Sequence, residues 1–342
     1  MGKRVKVVFM ISVVAIFMLS TTLTNKGAVY AKTFILKFAD YHHERDPLFG
    51  KDGICGDFSR RVEELSEGRV RIKVYYGQSL LKARELVDGV RKGIADISFA
   101  AYALDPRMVL TGAFELPFYY PSDEVLYEAV KATQSIWETN FTNLGLKVLF
   151  PLQVGGYQLF SKVPVEKLED FNGLRIRAPG GLMTKTVKFL GAVPVTVTVP
   201  EMYTAFQRGM LRASFNLPTS AEALHIYEVS KHLIIADSWS AGGGVFMKRD
   251  TFNELPEDIQ NVLIQAGQES RDFIISKLLA IRKNTLKSLE AKGMKLYVLP
   301  SAERARWKSA TNPIVEMWLG KSGEAGRKML EIINKVIEKY ER

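Results

Sequence analysis

The strongest constraint on the fold is an alternation of residue patterns that begins at Lys32. KTFILKFADY reads as an apolar strand, and DFSRRVEELSE (Asp57 to Glu67) places Phe58, Val62 and Leu65 on one side of a helix. Gly68 stops that helix, and RVRIKVYY alternates as a second strand. LLKARELVDGVRKG then reads as a helix closed by Gly93, and IADISFAAY as a short buried strand. A β-α-β-α-β order requires parallel strands joined by helical crossovers, so the fold class is α/β.

The alternation continues downstream. Ser122-Asp123 caps an amphipathic pattern that runs through Phe141, and LKVLFPL follows as a strand. GYQLFSK, GLRIRAP and AVPVTVT read as strands around the helix LMTKTVKFLG, and PEMYTAFQRG as a short helix with Pro200 in its first turn. After RASFNLP and HLIIADSWS comes a very long helical pattern, from about Pro256 to Lys292. The chain is too long for one typical core and has no Pro- or Ser-rich linker. Two α/β lobes, crossed between more than once and spanned by the long helix, satisfy both facts. The expected division is 32–154 plus about 243–282 for the first lobe, and 155–242 plus about 283–342 for the second. Ligands of such sheets sit in a cleft off the carboxyl ends of the strands.

The first 31 residues have a different character. Lys3, Arg4 and Lys6 precede the apolar run VVFMISVVAIFML, and Val29-Tyr30-Ala31 fits a small-residue cleavage site. This is the pattern of an export signal over 1–31, removed after secretion; the alternative is a retained anchor. The run is shorter than the ~20 apolar residues of a spanning helix. Four of the ten net positive charges lie in this segment, which has no acid, leaving a modest excess spread among Glu and Asp. No nucleic-acid partner is expected from that distribution; a weak attraction for small anions is. Cys55 is the only cysteine, so no internal disulfide forms, and its simplest role is a small buried hydrophobe.

A search for reactive groups finds little. Gly320-Lys321-Ser322 resembles the end of a phosphate loop, but Val315 stands where its first glycine belongs. Gly242-Gly243-Gly244 reads as a flexible turn. His42 and His43 are adjacent and point opposite ways on an extended segment. His225 and His232 have no acidic or cysteine partner at ligand spacing. No nucleophile elbow is present. A binder, with no cofactor and no metal, is expected rather than an enzyme.

The run DFNGLRIRAPGGLMTKTVKFLGAVPVTVTVPEMYTAFQRGMLRASFNLP, from Asp170, is distinctive. Its marks are Gly173-Leu-Arg-Ile-Arg177, Gly191-Ala-Val-Pro194, and Glu201, Tyr203, Ala205, Gln207 and Gly209. Phe114-Glu-Leu-Pro-Phe118, Gly77-Gln78 with Arg84-Glu85-Leu86, and Leu255-Pro-Glu-Asp-Ile-Gln260 flank it in order. Together they resemble the DctP family, the extracytoplasmic solute-binding subunits of TRAP (tripartite ATP-independent periplasmic) transporters. The resemblance implies a two-lobed periplasmic-binding-protein-like fold and a small organic acid as ligand. It also implies a periplasmic location, and small and large membrane subunits as partners; a homodimer is left open. The rivals are a receptor for an ATP-driven importer or a sensor kinase, and a secreted enzyme on a similar scaffold.

The resemblance also implies that the guanidinium matching Arg177 pairs with the ligand's carboxylate, which suits a planar fork of donors. Strand periodicity alone does not choose between Arg175 and Arg177, which share a face. Position favours Arg177, at the carboxyl end before Pro179-Gly180-Gly181, and leaves Arg175 a solvated role. Asn216 matches a position whose amide orients the bound acid, although Arg212-Ala213 replaces the acid-glycine pair of many relatives. Tyr157 and Gln158 stand where acidic-sugar receptors carry a second arginine, so a monocarboxylate is favoured and these two offer a hydroxyl and an amide. Tyr41, Tyr102 and Trp239 are the aromatic candidates for the pocket wall. Phe114, Pro117 and Phe118 are expected to pack the lobes.

Overall fold

The computed structural model describes residues 33–178 and 180–341, and the expected export signal lies outside them. Its strands are β1 (Phe34–Ala39), β2 (Val70–Tyr75), β3 (Ile97–Ala101), β4 (Leu146–Val154), β5 (Gln158–Ser161) and β6 (Arg175–Arg177). They continue as β7 (Val193–Val195), β8 (Ala213–Asn216), β9 (His232–Ile235), β10 (Ala241–Lys248) and β11 (Lys295–Val298). One sheet has the order β2-β1-β3-β10-β4 and the other β11-β9-β5-β8-β6-β7.

The parallel crossovers expected at the start are present, with β1 parallel to both β2 and β3. Helices Ile54–Leu65 and Leu86–Arg91 make the connections. The first helix starts three residues before the predicted Asp57, because Ile54 and Cys55 are buried on the same face as Phe58 and Val62. Burial pushes the Cys55 thiol well above its usual range, consistent with an inert packing role. Both sheets are mixed, however. β10 runs antiparallel to β3 and β4, and β5 antiparallel to β8 and β9.

Three other expectations change. The 122–141 pattern is three helices, Asp123–Ala132, Gln134–Trp137 and Thr139–Thr142. At the first break the buried Thr133 hydroxyl donates to the Ala129 carbonyl (2.7 Å) and the Trp137 indole to the Val130 carbonyl (2.9 Å). The Ala129 carbonyl also keeps its bond from the Thr133 backbone, whereas the Val130 carbonyl goes to a side chain. The triple glycine is not a turn but part of β10, where a Cβ at Gly243 would strike the Phe99 ring. The third change concerns the C-terminal helical segment, Pro313–Glu341, which bends at Gly323. Its Ile314, Trp318, Met329 and Ile333 are buried in the core of the first sheet, not the second as the predicted boundaries had it. β11 and helix Ser301–Thr311 do stay with the second sheet, the latter through Trp307.

The chain passes between sheets at Gly155–Tyr157 and returns at Ala236–Ser240. The long helix, Glu257–Ala291, buries Ile259, Leu263, Ala266 and Ile274 in the first core and Leu289 in a cluster under the second sheet. It therefore ties both lobes along one rod. Among the described residues no helix is long and apolar enough to cross a membrane.

Candidate functional site

Strand β6 is only three residues long, and its two arginines meet different surroundings. Arg175, at its start, is exposed and donates to the Gly209 carbonyl (2.6 Å). Arg177, at its carboxyl end, is 2% exposed. Its Nε donates to the Val197 carbonyl (2.9 Å), while Nη1 is buried with no hydrogen-bond partner. Among the described residues no carboxylate forms an ion pair with it. Burial pulls this guanidinium below the usual arginine range, opposed by the phenols of Tyr157 and Tyr41 and aided by Arg84. A guanidinium this deep with an orphan donor is costly unless an acceptor reaches it.

Arg177 lines a cavity whose walls come from both sheets. Tyr41, His42, Phe49 and Leu152 face it from the first lobe. Asn216, Leu217, Met183 and Trp239 face it from the rest of the chain, with Tyr157 at the crossover. The His42 ring stacks on Phe49 at 3.7 Å and 3°, lies 4.0 Å from Tyr41, and has Nδ1 2.9 Å from Asp40 Oδ1. Burial pushes Tyr157 up to about 12 and Tyr41 well above its usual value, so both phenols stay neutral near pH 7 and keep their hydroxyl protons. Trp239 is fixed by its indole, which donates to the Glu115 carbonyl (3.0 Å), and by an edge contact with Phe215 at 4.9 Å.

The structure thus brings together Arg177, Asn216, Tyr157, Tyr41 and Trp239. Asn216 is buried, and among the described residues its Nδ2 has only the Met202 sulfur at 3.8 Å as a partner. Two predicted residues lie elsewhere. Tyr102 packs in the first core, 5.9 Å from Phe141 and 6.3 Å from Trp137, outside this cavity. Gln158 is also outside it, because its amide is occupied: Oε1 accepts from the backbone of Ala236 and Asp237 (2.8 and 3.1 Å), and Nε2 donates to Asp237 Oδ1 (2.7 Å). Gln158 thereby holds Asp237 at a positive φ of 42°, a left-handed conformation uncommon for a residue with a side chain. Phe114 and Phe118 pack the two cores as expected.

Sequence reasoning did not place His42, Phe49 or Ser220 in the site. The opposed directions of His42 and His43 were legible, and the structure has one buried and the other exposed. Ser220 carries no local signal: its hydroxyl donates to Asp46 Oδ2 (2.7 Å) across 174 residues of chain. Asp46 Oδ1 in turn accepts from the backbone of Leu48 and Phe49 (2.9 and 3.2 Å), which fixes the loop that presents Phe49. Among the described residues no cluster of His, Cys, Asp or Glu could hold a metal ion. One buried cation with a free donor, an amide and an aromatic wall are the groups whose chemistry suits a carboxylate on a compact body.

Residues 38–321 match the family described as bacterial extracellular solute-binding protein, family 7 (DctP). The C4-dicarboxylate-binding periplasmic protein DctP of Rhodobacter capsulatus is 24% identical over 297 residues, 83% of this chain and 86% of its own. Three solved structures share the fold. DctP7 of Bordetella pertussis, an extracytoplasmic solute receptor binding pyroglutamic acid, gives a TM-score of 0.84 at 22% identity, over 88% of this chain and 100% of its own. A TRAP periplasmic solute-binding protein of Desulfovibrio salexigens with bound orotic acid gives 0.83 at 19%, over 90% and 99%. The sugar acid binding protein DctPAm of Advenella mimigardefordensis, in complex with galactonate, gives 0.84 at 22%, over 89% and 99%. The matched proteins are solute receptors rather than enzymes. With most of its length matched, the chain belongs to family 7 of the bacterial extracellular solute-binding proteins, the DctP family of TRAP solute-binding proteins.

Proposed function

We propose that this chain is the extracytoplasmic receptor of a TRAP-type transporter, exported to the periplasm by residues 1–31. It takes a small monocarboxylate between its lobes and delivers it to the small and large membrane subunits. The observation that carries this reading is Arg177, almost fully buried, with Nη1 lacking an acceptor beside a cavity lined by both sheets. A carboxylate meets such a nitrogen with a short charge-assisted bond. Asn216 supplies a second polar contact, and the aromatic side chains cover the rest of the solute. Pyroglutamic acid, orotic acid and galactonate, bound by the solved relatives, are all small carboxylic acids.

The strand crossovers at Gly155–Tyr157 and Ala236–Ser240 give the lobes a hinge, and a solute that touches both walls favours the closed form by the contacts it makes only there. Nothing covalent happens to it. Mass spectrometry of the acid that co-purifies, followed by calorimetry with that acid, tests the reading. Tight binding by the wild type and none by Arg177→Ala is expected. Undiminished affinity in that variant, or a co-purifying solute without a carboxylate, overturns it.

A further inference from the structure

Behind Trp239 and Ser240, which border the cavity of Arg177, lies a second cavity of about 500 Å³. It is lined by parts of both crossovers, Gly155–Gly156 and Asp237–Ser240. Among its polar lining residues is Gln153 on β4, 5% exposed, whose Oε1 and Nε2 both lack hydrogen-bond partners. Gln153 pairs across the sheet with Gly242, and a Cβ on that glycine would collide with the carboxamide. The glycine therefore makes room for the amide to lie where it does. The same cavity is lined by Phe118, Tyr119, Tyr120, Tyr127 and Trp239.

The two arginines of this cavity are already engaged, and its Glu124 is exposed to solvent. Arg282 donates to Asp123 (2.6 Å) and to the Gly155 carbonyl (2.8 Å), and Arg304 to the carbonyls of Ala236 and Asp237 (3.0 and 3.1 Å). The buried polar atoms of its lining that remain without a partner are neutral, the donor and the acceptor of the Gln153 amide, side by side in a cavity with aromatic walls. A carboxamide recognises its complement, an adjacent acceptor and donor on a flat group, through two parallel hydrogen bonds. The volume lies within the range of small-molecule sites.

We propose that this rear cavity is a second ligand site, taking a neutral flat ring that carries a carboxamide or an equivalent adjacent donor and acceptor. Benzamide is a suitable probe, used with the full mature chain. Saturable binding by calorimetry is expected, weakened at least about tenfold by Gln153→Met, which loses both hydrogen bonds. Gln153→Glu, which keeps the shape but not the donor, should weaken it as well, and Arg177→Ala should leave it unchanged. Unaltered thermal midpoints in the Gln153 variants exclude a folding defect. A crystal soaked with benzamide should show the ring over Gln153. Absence of saturable binding at millimolar benzamide, equal binding in the Gln153 variants, or a ring seated at Arg177 overturns the proposal.

Discussion

In the cavity of Arg177, a guanidinium keeps a nitrogen without an acceptor inside a wall of aromatic side chains. In the cavity that shares Trp239 and Ser240 with it, Arg282 and Arg304 direct theirs at Asp123 and at backbone carbonyls of the crossovers. The same side chain is thus used in two ways. Where its donors are met by the protein it braces the fold; where one is left over inside the protein, it is open to an acceptor from outside the chain, the role we propose for Arg177. Gly155 and Gly156 belong to the bracing side. A Cβ on the first would collide with Asp123, and one on the second, at φ 81°, would lie 2.5 Å from Arg282 Cζ.

The contrast can be broken by exchanging the effects. Arg177→Met should show the largest change, a loss of about 2–5 kcal/mol of carboxylate binding by calorimetry. Its unfolding midpoint without ligand should not fall, because a buried charge lacking a counter-ion is itself unfavourable. A midpoint as depressed as that of an Arg282 variant would erase the distinction. Asp123→Ala should do the reverse, lowering stability in urea by about 1–3 kcal/mol through the unpaired Arg282 while leaving affinity near wild type. Gly156→Ala should cost about 1–3 kcal/mol in the same measurement, from strain at a positive φ. Asn216→Ala should weaken the acid by about 1 kcal/mol without a change in midpoint. Arg175→Ala, at the exposed end of the same strand, should move neither quantity by more than about 0.5 kcal/mol.

Tyr157 sharpens the comparison at alkaline pH. Its folded pKa is raised to about 12, chiefly by burial, from an ordinary value of 10.0. The neutral phenol is therefore favoured in the folded state. Its contribution to stability is complete below about pH 10 and is lost as pH rises through about 12. Tyr157→Phe should remove that part of the alkaline decline in unfolding midpoint and leave the midpoint at pH 7 close to wild type.

Much of this organisation was legible because its causes are local. Alternation announced β1, β2 and β3, and a sustained helical period marked the long helix almost to its ends. The break after Arg177 pointed to its place at a strand's carboxyl end. What was not legible depends on partners far along the chain. Tyr102 and Tyr41 both follow strands in a similar way, yet Trp137 and Phe141 enclose one while the other borders the cavity. Gln158 and Asn216 sit opposite each other across β5 and β8. Only the proximity of Asp237 decides that the first amide is occupied. The glycines of β10 suggested a turn because composition alone does not reveal that neighbouring strands supply side chains to fill their space. The C-terminal helix could be recognised, but not the core that it would cover.

The place of β10 has a consequence for how the molecule is assembled. It lies between β3 and β4 although it follows them by more than eighty residues in sequence, after every strand of the second sheet except β11. Until it arrives, the two strands it separates have open edges facing each other, a template for wrong pairing. The first lobe is thus the earliest to begin and cannot be finished until the second is nearly complete. Such distant pairing is intrinsically slow to form. A chain cut before residue 241 would be left with a split sheet rather than a shorter receptor.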